Sequence, residues 1–120
     1  MVNKLIIIGN VGNDAEMRYT PNGKANTTFN VATNYKYGEK EETTWFTIQT
    51  FGKTAEFCNE YVGKGGRVYV EGRVRLNQWD GQDGTKHSRL EVVADNIKLL
   101  DFKKTAEKEE EYIEPDDIPF

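Results

Sequence analysis

The sequence predicts an all-β domain with one short helix after its third strand. Two observations favour this class. Short segments rich in β-branched and aromatic residues alternate with turn signals, and only Lys53–Val62 repeats its apolar residues at helical spacing. The chain of 120 residues is long enough for one domain with a hydrophobic core and too short for two.

Five segments are predicted as strands, whose side chains alternate between two faces. In chain order they are Asn3–Val11, Ala25–Asn34, Thr44–Lys53, Val68–Trp79 and Lys86–Leu100. The first carries a continuous apolar run, which favours burial on both faces and indicates a subunit interface over one of them. In the second, Phe29 and Val31 are predicted to face the core. The last has apolar anchors and a predicted bulge.

The connections are predicted from turn chemistry. Pro21-Asn22-Gly23 and Asp80–Gly84 are typical turn clusters, and Gly63 ends the helix. The polar segment Tyr35–Thr43 is expected to form a loop or hairpin tip. Three strands, a short helix and two further strands follow the order of an OB-fold, a five-stranded Greek-key barrel.

The third strand has an unusual outer face. Phe46 and Ile48 share the core face, so Trp45 and Phe51 lie on the other face with Thr47 and Gln49 between them. A row of exposed rings on a polar strand is typical of a surface on which flat groups stack. The alternative is that another element covers both rings.

The fourth strand repeats this arrangement with positive charges. Val68, Val70, Val74 and Leu76 are predicted to form its apolar face. The opposite face carries Tyr69, Glu71, Arg73, Arg75, Asn77 and Trp79. Rings among arginines suit single-stranded nucleic acid, because bases stack on the rings and cations meet the phosphates. Without the rings, the arginines alone would indicate only a solvated face.

The charge is unevenly distributed along the chain. The net charge is −4, and residues 103–120 hold seven acidic and three basic residues, so residues 1–102 are neutral. We therefore expect a domain over 1–102 and a disordered acidic tail over 103–120. The tail ends in Asp116-Asp117-Ile118-Pro119-Phe120, whose apolar residues predict a tip that docks into a partner. A plain solubilising tail is the alternative.

Composition also limits the function classes. The mean hydropathy of −0.74 and the short apolar run Leu5–Ile8 predict neither a membrane span nor a signal peptide, so we expect a cytoplasmic protein. One cysteine, Cys58, excludes an internal disulfide and a multi-cysteine zinc site. No catalytic site, metal site or cofactor is predicted: His87 has no catalytic partner at a diagnostic spacing, and position 47 lacks the first glycine of a P-loop ending at Gly52-Lys53-Thr54.

The chain resembles the bacterial single-stranded DNA-binding proteins, from Val2 to about Leu100 and again at its C-terminus. The matching segments are Gly9-Asn10-Val11-Gly12, Arg18-Tyr19-Thr20-Pro21-Asn22-Gly23, Trp45 with Phe51-Gly52-Lys53, Tyr69-Val70-Glu71-Gly72, Trp79 and Asp116–Phe120. The resemblance implies an OB-fold homotetramer that wraps single-stranded DNA. It also implies that the tip docks replication, recombination and repair proteins at the nucleoid.

The resemblance assigns roles to individual residues. Trp45, Phe51 and Trp79 fall at base-stacking positions of the family, and the fourth stacking ring is Tyr37 or Tyr35. Lys53 and Lys64 match phosphate-contacting lysines of the family, and Arg75 matches a basic position. Arg73, from the basic face of the fourth strand, and Lys4 complete the set of basic residues expected to contact DNA. The expected function is therefore binding, not catalysis. The alternatives are an OB-fold adaptor whose main partner is a protein, which would explain the acidic composition but not the aromatic face, and a nuclease.

Overall fold

The computed structural model describes residues 1–101, which form six strands and one helix. The elements are β1 Leu5–Val11, β2 Glu16–Tyr19, β3 Ala25–Tyr37, β4 Lys40–Phe51, α1 Gly52–Tyr61, β5 Arg67–Asp80 and β6 Lys86–Asp101. The predicted acidic tail over 103–120, with its tip Asp116–Phe120, lies outside the described residues.

Five of the strands close into a barrel. Their order is β1-β5-β6-β4-β3, and β1 pairs with β3 at Asn10↔Ala32 and Val11↔Val31 to complete the circle. The pairing of β4 with β6 is parallel, whereas the other pairings are antiparallel. Because α1 follows β4, the third strand of the barrel, the predicted OB-fold is confirmed.

The core lies inside the barrel and beneath α1. Phe29, Val31 and Ile48 are fully buried, as their alternation predicts. Cys58 on α1 joins the same cluster, and burial raises the pKa of its thiol to about 12. The Thr27 hydroxyl donates to the Ala55 carbonyl over 2.6 Å, which ties α1 to β3.

The structure adds one strand that the sequence analysis missed. The four residues of β2 pair with β3 from Glu16↔Thr28 to Tyr19↔Ala25. This short hairpin stands outside the closed barrel and buries little apolar area, so it has no clear alternation in sequence. Its turn is the predicted Pro21-Asn22-Gly23 cluster, in which the Gly23 amide donates to the Thr20 carbonyl over 2.8 Å.

The segment Tyr35–Thr43 is an extended hairpin and not a loop. β3 and β4 stay paired as far as Tyr37↔Lys40, and Lys36 lies opposite Glu41. Gly38 takes a φ of 63° in the two-residue turn, a conformation that favours glycine. Strand pairing therefore continues through residues that are too polar to predict a strand.

Within the single chain, one face of β1 is buried and the other is exposed: Leu5 and Ile7 pack on the core, whereas Ile6 and Ile8 are 55% and 54% exposed. The subunit interface expected over this second face stays a prediction. Leu76, expected on the apolar face of β5, is exposed, because the β5–β6 hairpin runs past the buried part of the barrel. The predicted bulge in the last strand is confirmed by the register, which moves from Glu71↔Asn96 to Gly72↔Ala94 and leaves Asp95 unmatched.

Candidate nucleic-acid interface

The outer surface of β4 carries two exposed rings. Trp45 is 56% and Phe51 37% exposed, so no other described part of the chain covers them. Between them, the Thr47 hydroxyl donates to Asn30 Oδ1 over 3.2 Å. Gln49 Oε1 accepts from Asn26 Nδ2 at 3.1 Å. The polar groups between the rings are therefore held in place by β3, while both rings face solvent.

The position of Trp45 depends on a glycine in the loop after β1. A Cβ atom at Gly12 would lie 2.5 Å from Trp45 Cζ3 and 2.8 Å from its Cη2. Only a residue without a side chain lets the indole rest against this backbone. Gly12 is itself fixed, since its amide donates to the Asn30 carbonyl over 2.9 Å. The loop thus supports one face of Trp45 and leaves the rest of the ring accessible.

Trp79 lies near the far end of β5, where it contacts two residues of β6. Its ring stacks on His87 with centroids 5.6 Å apart and an interplanar angle of 19°. The Arg89 guanidinium carbon lies 5.7 Å from the Trp79 ring centroid, within cation–π range. Trp79 is 44% exposed, so it can still accept a stacked group.

A buried carboxylate organises the charges beside this ring. Glu91 on β6 accepts from Arg75 Nε at 3.1 Å, Arg89 Nε at 2.9 Å and Asn77 Nδ2 at 3.2 Å. Burial alone would raise the pKa of Glu91, but the hydrogen bonds from Arg89 and Arg75 outweigh it and hold the pKa below its ordinary value. Glu91 is therefore a carboxylate at neutral pH.

These residues share one surface, which we call the tryptophan face. Its members are Trp45, Thr47, Gln49 and Phe51 of β4, Arg75, Asn77 and Trp79 of β5, and Arg89 of β6. Arg89 joins the two halves, because it lines one depression with Trp45 and Thr47 and contacts Trp79. Three of the predicted stacking rings, with Arg75, thus lie on a common surface.

The other predicted cations are placed less centrally. Lys4 Nζ forms an ion pair with Glu71 Oε2 at 2.8 Å, and this hydrogen bond raises the pKa of Lys4. Lys53 is exposed on α1, one residue after Gly52, and Arg73 is exposed on β5. Lys64 is exposed before β5, where its backbone amide donates to Asp14 Oδ1 over 2.8 Å. The structure does not bring Lys4 to the tryptophan face.

The two candidate tyrosines extend along the β3–β4 hairpin. Tyr35 and Tyr37 are both exposed, with ring centroids 5.9 Å apart, and the Tyr37 hydroxyl donates to Glu42 Oε2 over 3.1 Å. Because side chains alternate along β3, Tyr35 and Tyr37 lie on the same face as Phe29. Asn30, which pairs with Thr47, lies on the opposite face. They therefore lie on the side of the hairpin opposite Trp45, and the choice between them stays open.

Sequence reasoning missed three residues at this site. Arg89 and Glu91 alternate with the apolar residues Leu90 and Val92 on β6, and this alternation is the signal that places both on the outer face of the strand. The third is Lys24, whose Nζ lies 5.7 Å from the Phe51 ring centroid. It follows the Asn22-Gly23 turn, and nothing in its sequence context places it beside a residue of β4.

Within residues 1–101, no group of three or more His, Cys, Asp or Glu side chains could hold a metal ion. In the same part of the chain, no helix is long and apolar enough to cross a membrane.

Comparisons with known proteins agree with this geometry. The family model described as the single-strand binding protein family matches residues 2–100. The single-stranded DNA-binding protein of Wolinella succinogenes is 35% identical over 127 residues, covering 99% of this chain and 78% of that protein. That of Helicobacter hepaticus is 37% identical over 113 residues, covering 90% and 66%. That of Neisseria meningitidis is 39% identical over 104 residues, covering 82% and 60%.

Some relatives are longer than this chain, since the match spans less than two thirds of the H. hepaticus and N. meningitidis proteins. Among solved structures, the Plasmodium falciparum SSB complex with ssDNA is similar at a TM-score of 0.73 and 25% identity, covering 87% of this chain and 96% of that one. The family match over nearly all of the described residues, the relatives and the shared barrel lead to one conclusion: this chain belongs to the single-strand binding protein family.

Proposed function

We propose that this protein binds single-stranded DNA without strong sequence preference. The observation that carries the proposal is the tryptophan face, where Trp45, Phe51 and Trp79 are exposed beside Arg75 and Arg89. Each stacked base contributes about 1–3 kcal/mol, and every base offers a π-face, so the binding is tolerant of sequence. The arginines then contact the phosphates between stacked bases.

The surface favours a single strand over a duplex. In a duplex the faces of the bases are covered by their neighbours, so separate exposed rings on β4 and β5 have nothing to stack on. A single strand can turn its bases toward the rings one at a time. The relatives named above are single-stranded DNA-binding proteins, and the similar P. falciparum protein is in complex with ssDNA.

The remaining predicted residues form a secondary set in this proposal. Lys53, Lys64 and Arg73 are exposed cations that can guide the strand past the tryptophan face, and Tyr37 or Tyr35 can stack a base at the hairpin. Lys4 contributes less than these, because its ammonium group already pairs with Glu71.

We also propose that the protein works as a homotetramer. Ile6 and Ile8 form an exposed apolar stripe on β1, which we call the isoleucine stripe. Two neighbouring β-branched side chains on one face of a paired strand are well suited to pack against a second copy of the same strand. Burial against such a copy would restore the second buried face that the sequence of β1 predicts.

The tail completes the proposal. Asp116, Asp117, Ile118, Pro119 and Phe120 combine two acids with apolar residues at the terminus, which suits a pocket with a basic rim on a partner. We propose replication, recombination and repair proteins as these partners and the nucleoid in the cytoplasm as the location. Membership of the family also agrees with a protein that is not an enzyme.

Titration with oligo-dT tests the central proposal. We expect quenching of Trp45 and Trp79 fluorescence that saturates at a defined stoichiometry, and a log affinity that falls linearly with log salt concentration. Double-stranded DNA of the same length is the control and should bind far more weakly. No quenching at low salt would contradict the proposal and favour the adaptor, and turnover of DNA with Mg²⁺ would favour a nuclease.

Deletion of residues 116–120 tests the docking role. The truncated protein should keep its affinity for oligo-dT, or gain some, because an acidic segment that competes with DNA is removed. Pull-down of replication and repair proteins from a bacterial lysate should be lost. A matched variant with Phe120→Ala alone should lose most of the pull-down, and full retention in both variants would contradict docking.

A further inference from the structure

One carboxylate lies at the centre of the proposed DNA-binding surface. The Glu91 side chain is only 2% exposed, whereas those of Arg75 and Arg89 around it are 65% and 49% exposed. Arg75 Nη2 lies 3.1 Å from Glu91 Oε1, and Arg89 Nη2 lies 2.9 Å from Oε2. Both oxygens are therefore occupied, and each arginine is held by one of them.

Arg75 and Arg89 each use only some of their N–H donors on Glu91, so the remaining donors are free for a ligand. Each guanidinium turns its Nε and Nη2 toward Glu91. A guanidinium carries five N–H groups, so the end formed by its two Nη atoms still has donors directed away from Glu91. That end matches two oxygens of one phosphate. Glu91 thus orients both arginines with their phosphate-binding ends exposed.

The same ion pair fixes the relation between phosphates and bases. Arg89 touches Glu91 on one side and lies 5.7 Å from the Trp79 ring centroid on the other. It also lines the depression that contains Trp45 and Thr47. A phosphate bound at Arg89 would therefore sit at a set distance from two stacking rings.

An acidic residue such as Glu91 is unexpected on a surface that binds a polyanion. A carboxylate repels the DNA backbone, and burying one is costly unless it is paired and hydrogen-bonded. Asn77 supplies a further hydrogen bond to Glu91 Oε2 at 3.2 Å, so the group is fully satisfied. An acid that weakens the overall attraction for DNA has a use at this point if it sets the geometry of the cations.

We propose that Glu91 is a positioning residue for DNA binding and that Arg89 is a phosphate-binding residue held by it. This inference rests on the proposed single-stranded DNA binding. It predicts a change in DNA affinity opposite to the one expected from net charge alone. Removing the negative charge of Glu91 should weaken binding, although the surface becomes more positive.

The test compares Glu91→Gln and Glu91→Asp with the unchanged full chain in oligo-dT titrations over a range of salt concentrations. Gln keeps the shape and removes the charge, whereas Asp keeps the charge and withdraws it by one methylene group. We expect both variants to bind about tenfold more weakly, since charge-assisted hydrogen bonds hold the arginines. The slope of log affinity against log salt should become shallower by about 0.7 for each phosphate that the variant no longer binds.

Glu56→Gln is the matched control. Glu56 is exposed on α1 and loses the same charge, so this variant should bind equally well or slightly more tightly. Tighter binding by Glu91→Gln with an unchanged slope would overturn the positioning role and leave Glu91 as a neutralising charge. Absence of binding by the unchanged chain would instead overturn the proposed function itself.

Folding is checked by thermal unfolding of each variant. If Glu91→Gln does not fold, Glu91→Asp decides, because it preserves the buried charge and its attraction to the arginines. Arg89→Lys adds an independent measurement: it keeps the positive charge and loses the two-donor edge that faces Glu91. Unchanged affinity and slope in Arg89→Lys would exclude Arg89 as an oriented phosphate-binding group.

Discussion

Two exposed apolar surfaces of this chain differ in what surrounds them. The tryptophan face mixes indole rings with guanidinium groups, and its polar side chains are fixed by hydrogen bonds. The isoleucine stripe has two aliphatic side chains beside the Lys4–Glu71 ion pair, whose charges cancel. Exposure is similar at both surfaces, so exposure alone does not separate their roles.

The difference lies in the chemistry that each surface can satisfy. Flat rings beside free guanidinium donors match a ligand with flat bases and charged phosphates. β-branched aliphatic side chains offer only shape and apolar area, and these are satisfied by a similar surface on another protein. This difference is the reason for proposing DNA as the ligand of the tryptophan face and a second copy of the chain as the partner of the isoleucine stripe.

The largest effect is expected from charging the isoleucine stripe. Ile6→Lys with Ile8→Lys should convert the proposed homotetramer into smaller species. Burial of each isoleucine is worth about 1.5–3 kcal/mol, and a lysine at either position would lose this gain and place a charge in the interface. Molar mass by light scattering is the measurement. Leu76→Lys is the matched control, since Leu76 is equally exposed at 54% but lies on the β5–β6 hairpin. The Leu76→Lys variant should keep the mass of the unchanged protein, and an equal loss of mass in both variants would show that the effect is not specific to the isoleucine stripe.

The next effect is expected from removing one ring of the tryptophan face. Trp45→Ala or Trp79→Ala should weaken oligo-dT binding by about 1–3 kcal/mol through the lost stacking. The phenylalanine variants at the same positions should recover most of the affinity. Fluorescence anisotropy of labelled oligo-dT measures the change, and the molar mass should stay constant. Unchanged affinity in both alanine variants would contradict the role of the face.

A smaller effect is expected at the support of Trp45. Gly12→Ala should push the indole from its position, because the new Cβ would lie 2.5 Å from Cζ3. We expect a loss of about 0.5–1 kcal/mol in oligo-dT binding, less than removal of the ring. The same substitution in a Trp45→Ala background should have no further effect. An equal loss in both backgrounds would show that Gly12 acts without Trp45.

The smallest effect concerns stability in acid. The pKa of Glu91 is lowered from an ordinary value of 4.5, so its contribution to stability is fully present above that pH and is lost as the pH falls through the lower folded value. The unfolding midpoint should therefore decrease below about pH 4.5. Glu91→Gln should make this decrease less steep. An identical pH profile for the Glu91 variant would contradict the lowered pKa.

The barrel and its inner face could be predicted from the sequence because alternation in strands such as β3 and β4 follows burial directly. Phe29, Val31 and Ile48 lie where the period of two places them. Ile6 and Ile8 show the limit of this reasoning. A continuous apolar run predicts two covered faces and indicates a second subunit over one of them, but it does not say which of the two faces the chain itself covers.

The charged part of the site was harder to predict. Arg75 and Arg89 belong to different strands, and their shared partner Glu91 is an acid whose type favours exposure. Only the register Arg75↔Glu91 and Asn77↔Arg89 shows that they converge. Sequence alternation gives the face of a residue, but cross-strand pairing sets its neighbours. The rings were therefore found from sequence, and the group that orients the arginines beside them was not.

The burial of Cys58 makes the protein convenient for site-specific labelling. Thiol reagents attack the thiolate, and a fully buried group with a pKa of about 12 offers almost none at neutral pH. Cys58 is the single cysteine of the chain, so a cysteine introduced at the exposed turn residue Gln82 would be the one reactive thiol. A fluorophore there could report the arrival of DNA at the β5–β6 hairpin without any change to the native core.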